Sequence, residues 1–151
     1  MAGLWFEQFT IGQEFEHEIR RTVTEADNIW FCGATYNPAA IHIDAEYCKG
    51  TEFGKPLVNS IFTLGLVIGL SVQDTTLGTT IANLGMTDVR FPKPVFAGDT
   101  IRARTTVLES RASQSRPGAG IITFRHQGFN QRGEEVATLT RQALMLRKPQ
   151  A

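Results

Sequence analysis

Absences narrow this sequence first. It has two cysteines, Cys32 and Cys48, with no CxxC spacing and no histidine cluster beside them. Such a pair builds neither a disulfide framework nor a zinc ribbon, so reduced thiols in a cytoplasmic chain are expected. Net charge is also missing, because 15 Lys and Arg balance 15 Asp and Glu. Without an overall field the chain has no built-in attraction to nucleic acid or acidic lipid, and zero net charge favours self-association. The start, Met-Ala-Gly-Leu-Trp-Phe-Glu, has no basic region followed by an apolar one, so no secretory leader is expected. The longest apolar run, 58–72, falls short of the roughly 20 residues that span a bilayer. There is no internal repeat, glycine-rich phosphate loop, metal-ligand cluster or Ser/His/Asp pattern.

What remains is ordinary globular material, 42% hydrophobic and 20% charged, and 1–151 is expected to form one domain. Its two halves differ. In the first, Phe15 to Val23 reads as a strand, and Thr24 then caps a helix running to about Gly33, with Asp27 adding negative charge near the positive helix end. Pro38 disfavours helix at Asn37, so Tyr36 to Ala40 is expected to be extended or turning. Asp44 is placed to cap a short helix from Ala45 to Lys49. Then comes an apolar helix, about Val58 to Val72, hydrophobic nearly all round and therefore expected inside the fold. Gly65 and Gly69 share one of its faces, where they would admit a neighbouring backbone.

From Thr80 the period changes to two. Ile101, Ala103, Thr105 and Val107 fall on one face, as do Ile122 and Phe124, and Ala137, Leu139, Ala143 and Met145. Turn residues at Ala97-Gly98-Asp99, Arg116 to Gly120 and Arg132-Gly133-Glu134 separate the runs. The pattern predicts an α+β fold: a meander of three or four long antiparallel strands curled around one central helix. Two such sheets meeting at their edges would remove an exposed strand edge.

Of three histidines, His17 and His126 lie in strands and read as surface or strand-packing residues. His42 is different, because it sits in the segment TYNPAAIHID shortly before the apolar helix. That segment, together with FGKPLVNS and VRFPKPVFAGDT, resembles the MaoC-like dehydratases, or R-specific enoyl-CoA hydratases, of the hotdog superfamily. The likeness covers nearly the whole chain, and SRPGAGIITFRHQGFNQRGE looks like the branch acting on branched C4 or C5 dicarboxyl thioesters such as mesaconyl-CoA or itaconyl-CoA.

The resemblance implies a hotdog fold, an acyl-CoA substrate, a homodimer or higher assembly with CoA between subunits, and no cofactor beyond the CoA of the thioester. The family motif is Asp-x-Asn-Pro-x-His. His42 matches its histidine, Asn37 stands where the aspartate is expected, and Ala39 and Ala40 replace the asparagine and proline. An amide orients water but takes no proton at neutral pH. Two readings follow: His42 is the single acid and base while Asn37 orients the water, or the site binds thioesters with little chemistry. The resemblance also implies that a backbone amide near Asn59-Ser60 faces the thioester oxygen, and that CoA lies near Phe91, Pro92 and Lys93. Arg90, Lys93 and Arg116 are candidate partners for phosphate or a substrate carboxylate. Thioester hydrolysis ranks third, since 58–72 contains no carboxylate.

Overall fold

The computed structural model describes residues 3–149; Met1, Ala2, Gln150 and Ala151, at the ends of the expected 1–151 domain, lie outside the described residues. After one 3-10 turn, Phe6–Gln8, the order is β1 (Glu14–Glu16), β2 (Arg21–Thr22), α1 (Glu25–Ala34), α2 (Ala40–Ile43), α3 (Ala45–Cys48) and α4 (Ser60–Thr75). Four long strands follow: β3 (Thr80–Arg90), β4 (Thr100–Ala112), β5 (Ala119–Phe129) and β6 (Glu135–Leu146). All pairings are antiparallel, in the order β1-β4-β5-β6-β3, with β2 also on β4. The strand expected over Phe15 to Val23 is thus two short pieces, both paired with β4 at opposite ends of its first half.

Local chemistry sets the helix starts. The Thr24 side chain accepts from the Asp27 amide while the Asp27 carboxylate accepts from the Thr24 amide, a reciprocal cap. Asp44 caps α3 by accepting from the Tyr47 amide. Asn59 caps α4, its side-chain oxygen taking the Ile61 amide at 2.9 Å. α4 continues past Val72 to Thr75, and the Leu4 and Gly3 amides then meet the Thr75 and Leu77 carbonyls at 2.9 and 2.7 Å.

α4 packs across β4, β5 and β6, with Leu64, Val67 and Leu70 against Ile101, Ala103, Val136 and Leu139. Burying each such aliphatic side chain contributes roughly 1.5–3 kcal/mol. The closest approach is at Gly128 in β5, where an added Cβ would lie 2.3 Å from Val67 Cγ2. This corrects the expectation for Gly65 and Gly69, which are exposed and face open space. It also corrects all-round burial of the helix. The sheet covers only the stripe through Thr63, Leu64, Val67, Leu70, Ser71 and Thr75, while Ile61 on another face is 56% exposed. A second cluster, Phe9, Ile122, Phe124 and Met145, closes the sheet beneath the N-terminal segment. β3 forms one edge and is exposed along its whole length.

Candidate active site

Three segments meet at the start of α4. His42 lies in the single turn α2, not in irregular chain, and is half-buried. Its Nδ1 is 2.7 Å from the Leu57 carbonyl oxygen. A carbonyl only accepts, so Nδ1 carries the proton and Nε2 of the neutral ring is left with a lone pair. Leu57 is held in turn by its amide on the Ile41 carbonyl at 3.0 Å and by a bridge to Phe96. Three residues on, α4 begins. The Asn59 amide is taken by Asn28 Oδ1 at 2.8 Å, the Ile61 amide by the Asn59 side chain, and the Thr63 amide by the Asn59 carbonyl. Among the described residues, no acceptor meets the Ser60 amide. The first amides of a helix carry partial positive charge, so this one is set to receive a developing negative oxygen.

Beside it lies a cavity of about 210 Å³, walled mainly by Phe53, Leu57, Val58, Phe91 and Val95, with Ser60, Thr63 and Lys93 as its polar members. A second cavity of about 200 Å³ shares Val58 and is lined by Asn28 and Lys55. Of the residues expected at the site, Ser60, Phe91 and Lys93 line the first cavity, and His42 is bonded to the wall residue Leu57. Asn59 is buried as the helix cap. Arg90 and Arg116 are exposed and line neither cavity. Asn37 also stands apart from the lining. Its side-chain oxygen accepts from the Ala39 amide at 3.1 Å, closing a turn that follows Tyr36 at φ 54°. Among the described residues, no group of three His, Cys, Asp or Glu side chains is placed to hold a metal ion, and no helix is long and apolar enough to cross a membrane.

The sequence reading missed Asn28, 3% exposed, which bonds to all three segments. No local signal marks it, since its three partners lie 14, 29 and 31 positions along the chain. It also missed a buried polar chain on the sheet side of α4, because it left His17 and His126 at the surface or in strand packing. Arg141 Nε donates to His126 Nε2 at 3.1 Å, which places the His126 proton on Nδ1, 2.8 Å from Thr105 Oγ1. The Thr105 hydroxyl then donates to His17 Nε2 at 2.8 Å, and His17 Nδ1–H to Asp74 at 2.7 Å. Each proton along this chain has one acceptor, while Arg141 Nη2 is buried without a partner among the described residues. Burial pushes the His126 pKa well below the ordinary 6.5, helped by the Arg141 charge and then by His17. Burial also pulls Arg141 down to about 10, so it remains charged at neutral pH.

With this geometry in view, comparison with known proteins decides the family: the model of the MaoC like domain matches residues 6–127. The chain belongs to this family. Mesaconyl-CoA hydratase of Cereibacter sphaeroides is 30% identical over 150 residues, 99% of this chain and 43% of that protein. The β-methylmalyl-CoA dehydratase of Chloroflexus aurantiacus is 30% identical over 147 residues, 97% of this chain and 41% of that one. The MaoC-like chain therefore spans less than half the length of these curated relatives. Among solved structures, the monoamine oxidase regulatory protein of Archaeoglobus fulgidus superposes with TM-score 0.86 at 35% identity, over 99% of this chain and 98% of that one. A Mycobacterium tuberculosis protein with a double hotdog fold superposes with TM-score 0.86 at 24% identity, over 99% of this chain and 46% of that one. The α+β hotdog fold read from the sequence is thereby established.

Proposed function

We propose that this MaoC-like domain adds water to, or removes it from, the double bond of a short or branched α,β-unsaturated acyl-CoA, with mesaconyl-CoA and itaconyl-CoA in the class. The observation that carries the reading is the 57–60 segment. Its Leu57 carbonyl holds the His42 proton on Nδ1, and the unpaired Ser60 amide opens α4 three residues later. In hydration, the bare Nε2 of His42 takes a proton from water as the oxygen bonds to Cβ. The thioester oxygen gathers the enolate charge against the Ser60 amide, and His42 returns the proton to Cα. Water and the enoyl thioester combine one to one, and His42 ends in its starting protonation state. CoA enters with the substrate, and both the proton and the charge are handled by groups of the chain.

The apolar cavity suits a short branched acyl group, and the Lys93 ammonium at its wall suits a second carboxylate. The names of the mesaconyl-CoA and β-methylmalyl-CoA relatives support that class. Asn37, expected to orient the attacking water, lines neither cavity and has its oxygen held by the Ala39 amide, so in this reading His42 alone carries the proton. Arg90, exposed beside Phe91, takes a CoA phosphate. The working unit is a homodimer: β3 is an open edge bearing the exposed Ile81, Leu84 and Met86, and it leads into Phe91 at the cavity wall. A monomeric mass at micromolar concentration would count against that assembly.

Purified protein is incubated with crotonyl-, mesaconyl- and itaconyl-CoA while the absorbance of the conjugated thioester is followed. The expected result is turnover that falls by about 10²–10⁴ in His42→Ala. No turnover on any of them, with His42→Ala indistinguishable from wild type, refutes the proposal. One observation favours a second reading, a module that binds acyl-CoA without converting it: Asn37 is no base and its oxygen closes a turn. Affinity for the esters without turnover would establish that. Thioester hydrolysis has less support, since the carboxylate of α4, Asp74, is bonded to His17 near the far end of the helix.

A further inference from the structure

We infer that Asn28 is the positioning residue of this site, fixing the acid/base group and the oxyanion donor relative to each other; the inference rests on the hydratase reading above. Asn28 lies on the inner face of α1, 3% exposed, and its side chain has one acceptor and two donor hydrogens. Nδ2 donates to the His42 carbonyl at 2.8 Å and to the Leu57 carbonyl at 3.1 Å, while Oδ1 accepts from the Asn59 amide at 2.8 Å. Carbonyls only accept and backbone amides only donate, so the side-chain amide has a single permitted orientation. A flipped amide would set its oxygen against two carbonyls and its hydrogens against the Asn59 amide hydrogen.

Two consequences follow at the reacting groups. The Leu57 carbonyl receives both Asn28 Nδ2–H and His42 Nδ1–H, so Asn28 orients the atom that selects the His42 tautomer. Asn28 also occupies the Asn59 amide, and the Asn59 side chain occupies that of Ile61, which leaves the Ser60 amide between them unpaired. One buried side chain therefore sets both the lone pair that takes the proton and the amide that receives the charge. These groups come from segments 14 and 31 residues away in the chain, which no local turn holds in register. Their relative placement matters because a displacement of about 1 Å in a reacting group costs up to about 10²-fold in rate.

The test uses Asn28→Asp, which keeps the shape but sets oxygen against two carbonyls, and Asn28→Ala, which removes all three bonds. With mesaconyl-CoA or crotonyl-CoA, both variants are expected to lose about 10- to 100-fold in kcat per folded molecule, with KM within about threefold. Nitrogen-15 NMR of the imidazole gives a readout independent of turnover. Wild-type His42 is expected to show Nδ1 protonated and Nε2 bare, and Asn28→Ala a mixture of tautomers. The inference is overturned by a folded variant with wild-type kcat and tautomer, or by a loss of activity that tracks only the folded fraction in urea titration. If wild-type protein turns over no enoyl-CoA, the hydratase reading fails, while the NMR comparison still decides whether Asn28 holds the His42 ring.

Discussion

Acid should destabilise this domain through a residue outside the candidate active site. His126 is fully buried beside Phe124, and its Nε2 lone pair already receives Arg141 Nε–H. A proton on that nitrogen would face a donor and a guanidinium charge in a dry environment. Its folded pKa accordingly lies well below the 6.5 of the unfolded chain, through burial first, then Arg141, then His17. The sign follows directly. Above pH 6.5 neither state binds the proton and His126 contributes no slope. Below it the unfolded chain takes a proton that the folded chain refuses, so stability falls with pH by about 1.4 kcal/mol per unit until the folded pKa is reached. Between pH 7.5 and 5.5 the loss is therefore about 1.4 kcal/mol. With a urea slope of roughly 1–3 kcal/mol/M, the midpoint moves down by roughly 0.5–1.4 M. The assay is urea unfolding followed by the fluorescence of Trp5 and Trp30, at intervals across that range, for wild type and His126→Gln. The glutamine is able to accept from Arg141 and donate to Thr105 without titrating. Its starting stability is expected to be lower, and its dependence on pH shallower by nearly one proton. Parallel curves for the two proteins would refute the reasoning.

Two further perturbations probe the cavity and the helix seat. Lys93→Met is expected to raise KM for mesaconyl-CoA by about 10- to 100-fold, as loss of a charge-assisted bond does, while crotonyl-CoA, which lacks the second carboxylate, changes less than about threefold; equal effects on both would remove Lys93 from carboxylate recognition. Gly128→Ala drives a methyl group into Val67 Cγ2 and is expected to destabilise by about 1–3 kcal/mol, seen as a lower thermal midpoint, with partial recovery in the Gly128→Ala, Val67→Ala pair; a wild-type midpoint would show that α4 is free to move off the sheet.

Much of the architecture was legible because its causes are local. The Thr24–Asp27 cap, the Asp44 cap and the alternation at Ile101, Ala103, Thr105 and Val107 each act within a few residues, and each was found as expected. The family segment around His42 was legible for a different reason, since chemistry holds residue types at set spacings. What escaped were groups whose meaning depends on distant partners. His17 meets Asp74 and Thr105, which lie 57 and 88 positions away, and no periodicity announces that bond. Asn28 was not singled out, because the His42 and Leu57 carbonyls and the Asn59 amide that it bonds lie 14, 29 and 31 positions away. The all-round apolarity of 58–72 was read correctly as composition and wrongly as burial, because a single sheet covers only one stripe of a helix.

The two polar networks make most sense when considered together with the helix between them. Leu64, Val67 and Leu70 hold α4 to the sheet by contacts that have no preferred direction, and such contacts resist separation better than sliding along the axis. A 16-residue helix is about 24 Å long, and it is pinned by directional bonds toward each end. Asn28 holds Asn59 at the first end, and His17 holds Asp74 near the other, backed by Thr105, His126 and the buried Arg141. Gly3 and Leu4 add backbone bonds beyond Asp74. Burying these polar groups contributes less net stability than an apolar core of the same volume would. What they supply is axial register, and under the proposed hydratase reading the Ser60 amide would need it, because an oxyanion donor is effective only within a few tenths of an ångström of its position. The distant relay around His126 and the local clamp at Asn28 therefore restrain the same atom from opposite ends of one helix.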